Sequence, residues 1–213
     1  MKKDPGPLLT ISREYGCEAN DITIKLLARI NHLLDTKSVN ARHWDYISKE
    51  IIELSAKELK LTPERLEHRI VHHNSGGLDD VFSSFSSSYS LTDKKIIEKV
   101  KDIIETYAQQ GRVIIVGRGG AALTRNIPKA IHVRLYAPYE WRVNRAIEKH
   151  RLSKNEAEEL VRSMDRERRL WTENLAGKYF DASCFDLMLN RSTLSMDEIV
   201  DTIFSLMQRR GLF

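Results

Sequence analysis

Gly111-Arg112-Val113-Ile114-Ile115-Val116-Gly117-Arg118-Gly119-Gly120 lies near the middle of the 213-residue chain, and its reading decides the fold. A run of β-branched apolar residues, entered through Gly-Arg and left through Gly-Arg-Gly-Gly, is the pattern of a strand buried on both faces of a parallel sheet. In open α/β sheets ligands sit beyond the carboxyl ends of the strands. Arg118 is expected at such an end, with glycines that let a ligand approach the backbone closely. A guanidinium there points to an anionic ligand.

Outward from this strand, helices and strands alternate. Upstream, Asp93 to Gln110 carries one apolar stripe (Ile96, Ile97, Val100, Ile103, Ile104, Tyr107) behind Thr92 as N-cap. Downstream, Ala130 to Tyr136 is a strand, Pro138 opens a helix, Ser153 caps a second helix from Lys154 to about Asn174, Phe185 to Asn190 is a last strand, and Ser195 opens a closing helix to Arg209. At the amino end, Leu8 to Ser12 reads as a strand and the chain from Asn20 as a largely buried helix. A weak second strand is expected within Lys37 to Asp45, ending at Trp44-Asp45. Ser48 is expected to open a helix, and Thr62-Pro63 a further one ending near His72. Asn74 to Ser90, rich in Ser and Gly with Phe82, Phe85 and Tyr89, reads as a mobile loop or short helix over a site, a lid or partner surface, or a linker. Alternation of this kind argues for a parallel sheet wrapped on both faces.

Composition narrows the function classes. The chain is 41% hydrophobic and 30% charged, as expected of one globular domain with a sizeable core. No apolar run approaches the ~18 residues of a membrane helix, and no signal-like core follows Met1-Lys2-Lys3, so a cytoplasmic protein with no membrane partner is expected. Cys17 and Cys184 lack metal spacing. His68, His72 and His73 have no acidic base in an H-E-x-x-H arrangement, so a solvated helix face is the reading and no metal site is expected in the protein itself. The net charge of +4 suits an anionic small molecule as well as nucleic acid. Arg142, Arg145, Lys149, His150, Arg151, Arg162, Arg166, Arg168 and Arg169 bunch within two helices and a turn. No nucleic-acid module accompanies them, and no nucleic-acid partner is expected. Gly117 to Ala122 also fits G-x-G-x-x-A, but the only acid about 20 residues on is Glu140, already in helix, which weakens a dinucleotide reading.

The segment Arg13 to Asn20 joins a strand to a helix, the geometry in which helix N–H groups bind phosphate. The pattern G-x-x-x-x-G-K-[ST] is unmatched there at Arg13, Glu18, Ala19 and Asn20. Yet the order Ile11-Ser12-Arg13-Glu14-Tyr15-Gly16, Val113 to Gly119, Asp165-Arg166-Glu167-Arg168 and Phe185 to Asn190 resembles the cytidylate-kinase-like family over nearly the whole chain. That family is a divergent branch of the P-loop nucleoside monophosphate kinases. The resemblance implies an α/β, P-loop-kinase-like three-layer sandwich: a five-stranded parallel sheet with a helical nucleoside-monophosphate-binding insertion and a helical lid. The boundaries implied for this single domain are a core of 8–43, 91–137 and 184–213, an acceptor-side insertion of 44–90 and a lid of 138–174.

Carried over by residue, the resemblance implies acceptor contacts for Arg118, Asp45, Asp165 and Arg168, and a lid arginine at Arg142 or Arg145 that closes on the transferring group. The donor loop would be Arg13, Tyr15, Gly16 and Cys17, with Lys25 one helical turn further on. ATP and Mg²⁺ are the implied cofactors. The departure is that Gly16 is followed by Cys17-Glu18-Ala19-Asn20, where the family usually has Gly-Ser-Gly-Gly and a basic residue. The expected function is ATP-dependent phosphorylation of CMP or dCMP. The alternative is a nucleotide-binding protein of the same fold with little or no kinase activity, acting as a sensor or interaction protein. A homodimer stays open.

Overall fold

The computed structural model describes residues 5–38, 40–71, 93–176 and 181–213. The Ser-rich segment 74–90, His72, His73 and the cap expected at Thr92 lie outside these residues. Five strands, β1 (Leu8–Arg13), β2 (Asp45–Ile47), β3 (Val113–Val116), β4 (Ala130–Tyr136) and β5 (Leu187–Asn190), form one parallel sheet in the order β2-β3-β1-β4-β5. This is the expected α/β architecture. The chain leaves β1 toward one edge and later returns to β4 on the other side. The carboxyl ends of β1, β3 and β4 therefore open at a topological switch point, where such sheets bind ligands.

Strand alternation sorts the core into two layers. Leu9, Ile11, Ile114, Val116, Ile131, Val133 and Leu135 pack under α1 (Ala19–Lys37), with Ile22, Leu26 and Ile30, and under the closing helix Met196–Arg209, with Ile199, Ile203 and Met207. Leu8, Val113 and Ile115 face the other way. They meet Ile96, Val100 and Ile104 of the helix Asp93–Gln110, together with Trp171 and Leu175 of the helix Lys154–Ala176. In chain order the helices after α1 are α2 (Glu50–Leu59), α3 (Pro63–Val71), α4 (Asp93–Gln110), α5 (Gly120–Thr124), α6 (Tyr139–His150), α7 (Lys154–Ala176) and α8 (Met196–Arg209). The α6–α7 hairpin has a small core of its own, Val143, Ala146, Ala157 and Val161, and Tyr15 packs against it from the loop after β1.

Local chemistry explains most boundaries. Ser195 and Glu198 form a reciprocal capping box at the start of α8, each satisfying the other's backbone N–H. Three expectations need correction. The second strand begins at Asp45 instead of ending there. Asn31 of α1 explains why: it clamps Trp44 by donating to its carbonyl (3.0 Å) and accepting from its N–H (2.8 Å), so sheet pairing starts one residue later, with Asp45 in register with Val113. Ser48 does not cap α2, whose N-cap is Lys49, and its hydroxyl turns to the carbonyl of Val116. The last strand is shorter than Phe185 to Asn190, because a 3₁₀ turn, Ala182–Cys184, occupies the approach. Among the described residues, no helix is long and apolar enough to cross a membrane.

Candidate anion-binding site

Three arginines reach the switch point from separate elements. Arg13 is the last residue of β1, Arg118 follows β3, and Arg168 comes from the middle of α7. The Arg13 guanidinium lies directly on the backbone of Gly117, where a Cβ would fall 1.7 Å from its Nη1. Gly117 also has φ +73°, so both its conformation and its missing side chain suit the packing. Arg118 sits at 5.0 Å over the Trp171 ring and Arg168 at 5.4 Å over the Tyr15 ring. The aromatic faces hold the cations in place without neutralising them.

The electrostatics are dominated by burial and by the mutual repulsion of these cations. Burial, then Arg168 and Arg118, pull Arg13 from its ordinary 12.5 down to about 9. Arg168 is lowered too, mainly by burial, with Asp165 opposing and Arg118 adding to the effect. Its Nη1 is buried and makes no hydrogen bond. Like charges brought together in this way favour a bound anion, which relieves both the repulsion and the unmet donor.

The loop after β1 is arranged differently. The N–H of Tyr15 donates to Asp165 Oδ1 at 2.7 Å, and Asp165 Oδ2 accepts from Arg142 Nη1. Arg142, only 7% exposed, also donates from Nε to the carbonyl of Ala137 (3.0 Å) and faces Glu14 Oε2 at 3.3 Å. Gly16, at φ +89°, packs on Arg142, leaving a Cβ there 3.3 Å from its nearest atoms. Glu18 adopts a left-handed conformation, φ 53°, at the N-cap of α1. Its carboxylate meets Arg145 Nη2 at 2.6 Å and Arg191 Nη2 at 2.8 Å, and both guanidiniums lie over Trp141. Cys17 is buried, and burial together with Glu14 pushes its thiol up to about 12, so it is an inert packing group.

The structure thus gathers Arg13, Tyr15, Gly16, Cys17, Arg118, Arg142, Arg145, Asp165 and Arg168 at one end of the sheet. Two residues lie elsewhere. Lys25 pairs with Asp197 on the exposed α1–α8 surface at 2.7 Å. Asp45 is exposed at the amino end of β2, in register with the first residue of β3, and caps its own neighbour Tyr46. Glu14, Arg191 and Trp171 belong to the site and were not singled out from the sequence. Arg191 directly follows a strand, a position from which it could have been suspected.

A parallel sheet of this order thus gathers arginines at its switch point. The chain matches the cytidylate kinase-like family over residues 8–193, and it belongs to that family. An uncharacterized protein from Eubacterium ventriosum shares the fold, with a TM-score of 0.66 at 16% identity, covering 95% of this chain and 98% of that one. A shikimate kinase from Acinetobacter baumannii in complex with shikimate aligns with a TM-score of 0.49 at 13% identity, covering 98% of this chain and 96% of that chain. Over 140 residues the chain is 24% identical to a uronate isomerase of Corynebacterium glutamicum, covering 63% of this chain and only 26% of that enzyme's length.

Family membership points in general terms to ATP and a divalent metal. The loop as set here does not fit them. The Tyr15 N–H is already bonded to Asp165, Glu18 fills the space between Arg145 and Arg191, and Ala19 and Asn20 offer neither the lysine nor the hydroxyl that a P-loop uses for the β-phosphate and Mg²⁺.

Proposed function

We propose that the chain binds a pyrimidine nucleoside monophosphate, CMP or dCMP, by its phosphate, on a kinase-like scaffold with little or no turnover. One observation carries this reading: Arg13, Arg118 and Arg168 converge, with Arg13 held below its ordinary pKa by burial and by Arg168 and Arg118, and Arg168 by burial, with Asp165 opposing and Arg118 adding. In this reading the phosphate settles among the three guanidiniums, whose planar forks match its oxygens. The Tyr15 and Trp171 rings hold Arg168 and Arg118 at the right height. Asp165 acts as a positioning residue, fixing Arg142 and the Tyr15 backbone beside the phosphate. The pyrimidine preference rests on the family.

A second reading, transfer of a phosphoryl group from ATP to CMP, is favoured by the family match over residues 8–193. The two separate in one experiment: a coupled ADP-release assay with ATP and Mg²⁺ against CMP, dCMP, UMP and AMP, run beside calorimetric titration of each monophosphate. The expected result is CMP or dCMP binding without ADP release. Turnover would establish the second reading, and failure of every monophosphate to bind would remove both.

A further inference from the structure

The N-terminus of a helix that follows a strand, entered through a left-handed residue, ordinarily offers its N–H groups to an outside anion. In this chain the N-cap residue is itself an acid, whose side chain makes no hydrogen bond to the helix N–H groups and turns to two arginines instead. Glu18 takes the left-handed conformation that glycine adopts without strain, and its side chain is 17% exposed. The two guanidiniums on it come from different parts of the chain, Arg145 from α6 and Arg191 from just past β5, and Arg191 is only 13% exposed. A second carboxylate, Asp165, takes the Tyr15 N–H one turn of loop away. Glu18 thereby holds Arg145 and Arg191 at the loop, apart from the Arg13–Arg118–Arg168 cluster.

We infer that Glu18, held between Arg145 and Arg191, is a specificity-determining residue that excludes the polyphosphate of nucleoside triphosphates from the loop and leaves the crevice to monophosphates. A triphosphate entering along the loop would bring several negative charges against a half-enclosed carboxylate and would have to take both guanidiniums from it. A monophosphate at the arginine cluster disturbs neither pair. Removing the Glu18 charge frees two guanidiniums beside the start of α1. The inference rests on the reading of the crevice as a monophosphate site, but its two halves are measured with different ligands.

The test is titration of ATP with Mg²⁺, and separately of CMP, into the wild-type chain and into Glu18→Gly and Glu18→Gln. Thermal unfolding of each serves as the control for folding. Glycine suits the backbone at this position, and glutamine keeps the side chain's size, so one variant can be read if the other folds poorly. The expected result is at least a tenfold gain in ATP affinity for both variants with CMP affinity unchanged within about twofold. Wild-type chain that binds ATP as tightly as the variants would overturn the inference. So would variants that gain nothing, or that gain equally for CMP and ATP. Absence of CMP binding in all three chains, with the ATP gain intact, would remove the monophosphate reading and leave the role of Glu18 standing.

Discussion

Arg13 shows how a residue can be kept for binding at a cost to the fold. Its folded pKa lies well below its ordinary value because burial and two neighbouring guanidiniums disfavour its charge. At neutral pH it is protonated in both folded and unfolded chains, so the folded state alone bears the repulsion. That penalty fades only as pH rises above about 9, through the folded pKa. Arg13→Met keeps an apolar stem at the position and removes the guanidinium that lies on Gly117, with its charge. The variant is expected to unfold a few degrees higher without ligand, a gain of about 1 kcal/mol, and to lose at least tenfold in CMP affinity. Differential scanning calorimetry with and without CMP checks both signs. A lower Tm and unchanged affinity would show that Arg13 is structural.

The elements make a similar point about what lies between strands. In the adjacent pair β1 and β4, Thr10 is in register with His132, and its hydroxyl meets the imidazole Nδ1 at 2.8 Å in a buried setting. Burial lowers the His132 pKa from 6.5, Asp186 opposes, and Arg210, paired with Asp186, adds to the lowering. The unfolded chain takes up this proton as pH falls below 6.5 while the folded chain does not, so stability is lost on the acid side. His132→Gln is expected to make that loss shallower when denaturant unfolding is followed from pH 7.5 to 5.5; an unchanged slope would show that the imidazole titrates normally.

The sheet itself was legible because its signals are local: β-branched runs, Gly-Arg entries, Pro138 and Ser195 all act within a few residues. The position of Arg118 followed from the same logic. Asp45 was misplaced because β2 is three residues long and its start is set by Asn31 in another element. The pairing of Glu18 with Arg145, 127 positions away, leaves no trace in composition or spacing. Charge runs announce that cations are present, but only the fold shows which carboxylates meet them.

Taken whole, the molecule has its proposed ligand site beside the α6–α7 hairpin, with Tyr15 joining the loop after β1 to that hairpin through its packing and its bond to His150 at 2.9 Å. A ligand held there stabilises everything it touches by mass action. CMP at about one hundred times its dissociation constant is expected to add roughly 2.7 kcal/mol, or on the order of 5–10 °C in Tm for a domain of this size. A single cooperative transition that moves as a unit is the expected trace, and a split transition would show that the hairpin unfolds separately. The left-handed backbone at Glu18 also bears on descent. Glutamate and glycine codons differ by a single base, and the loop already has the shape that glycine would adopt, so in genetic terms the backbone sets no barrier to exchanging the two residues at this position.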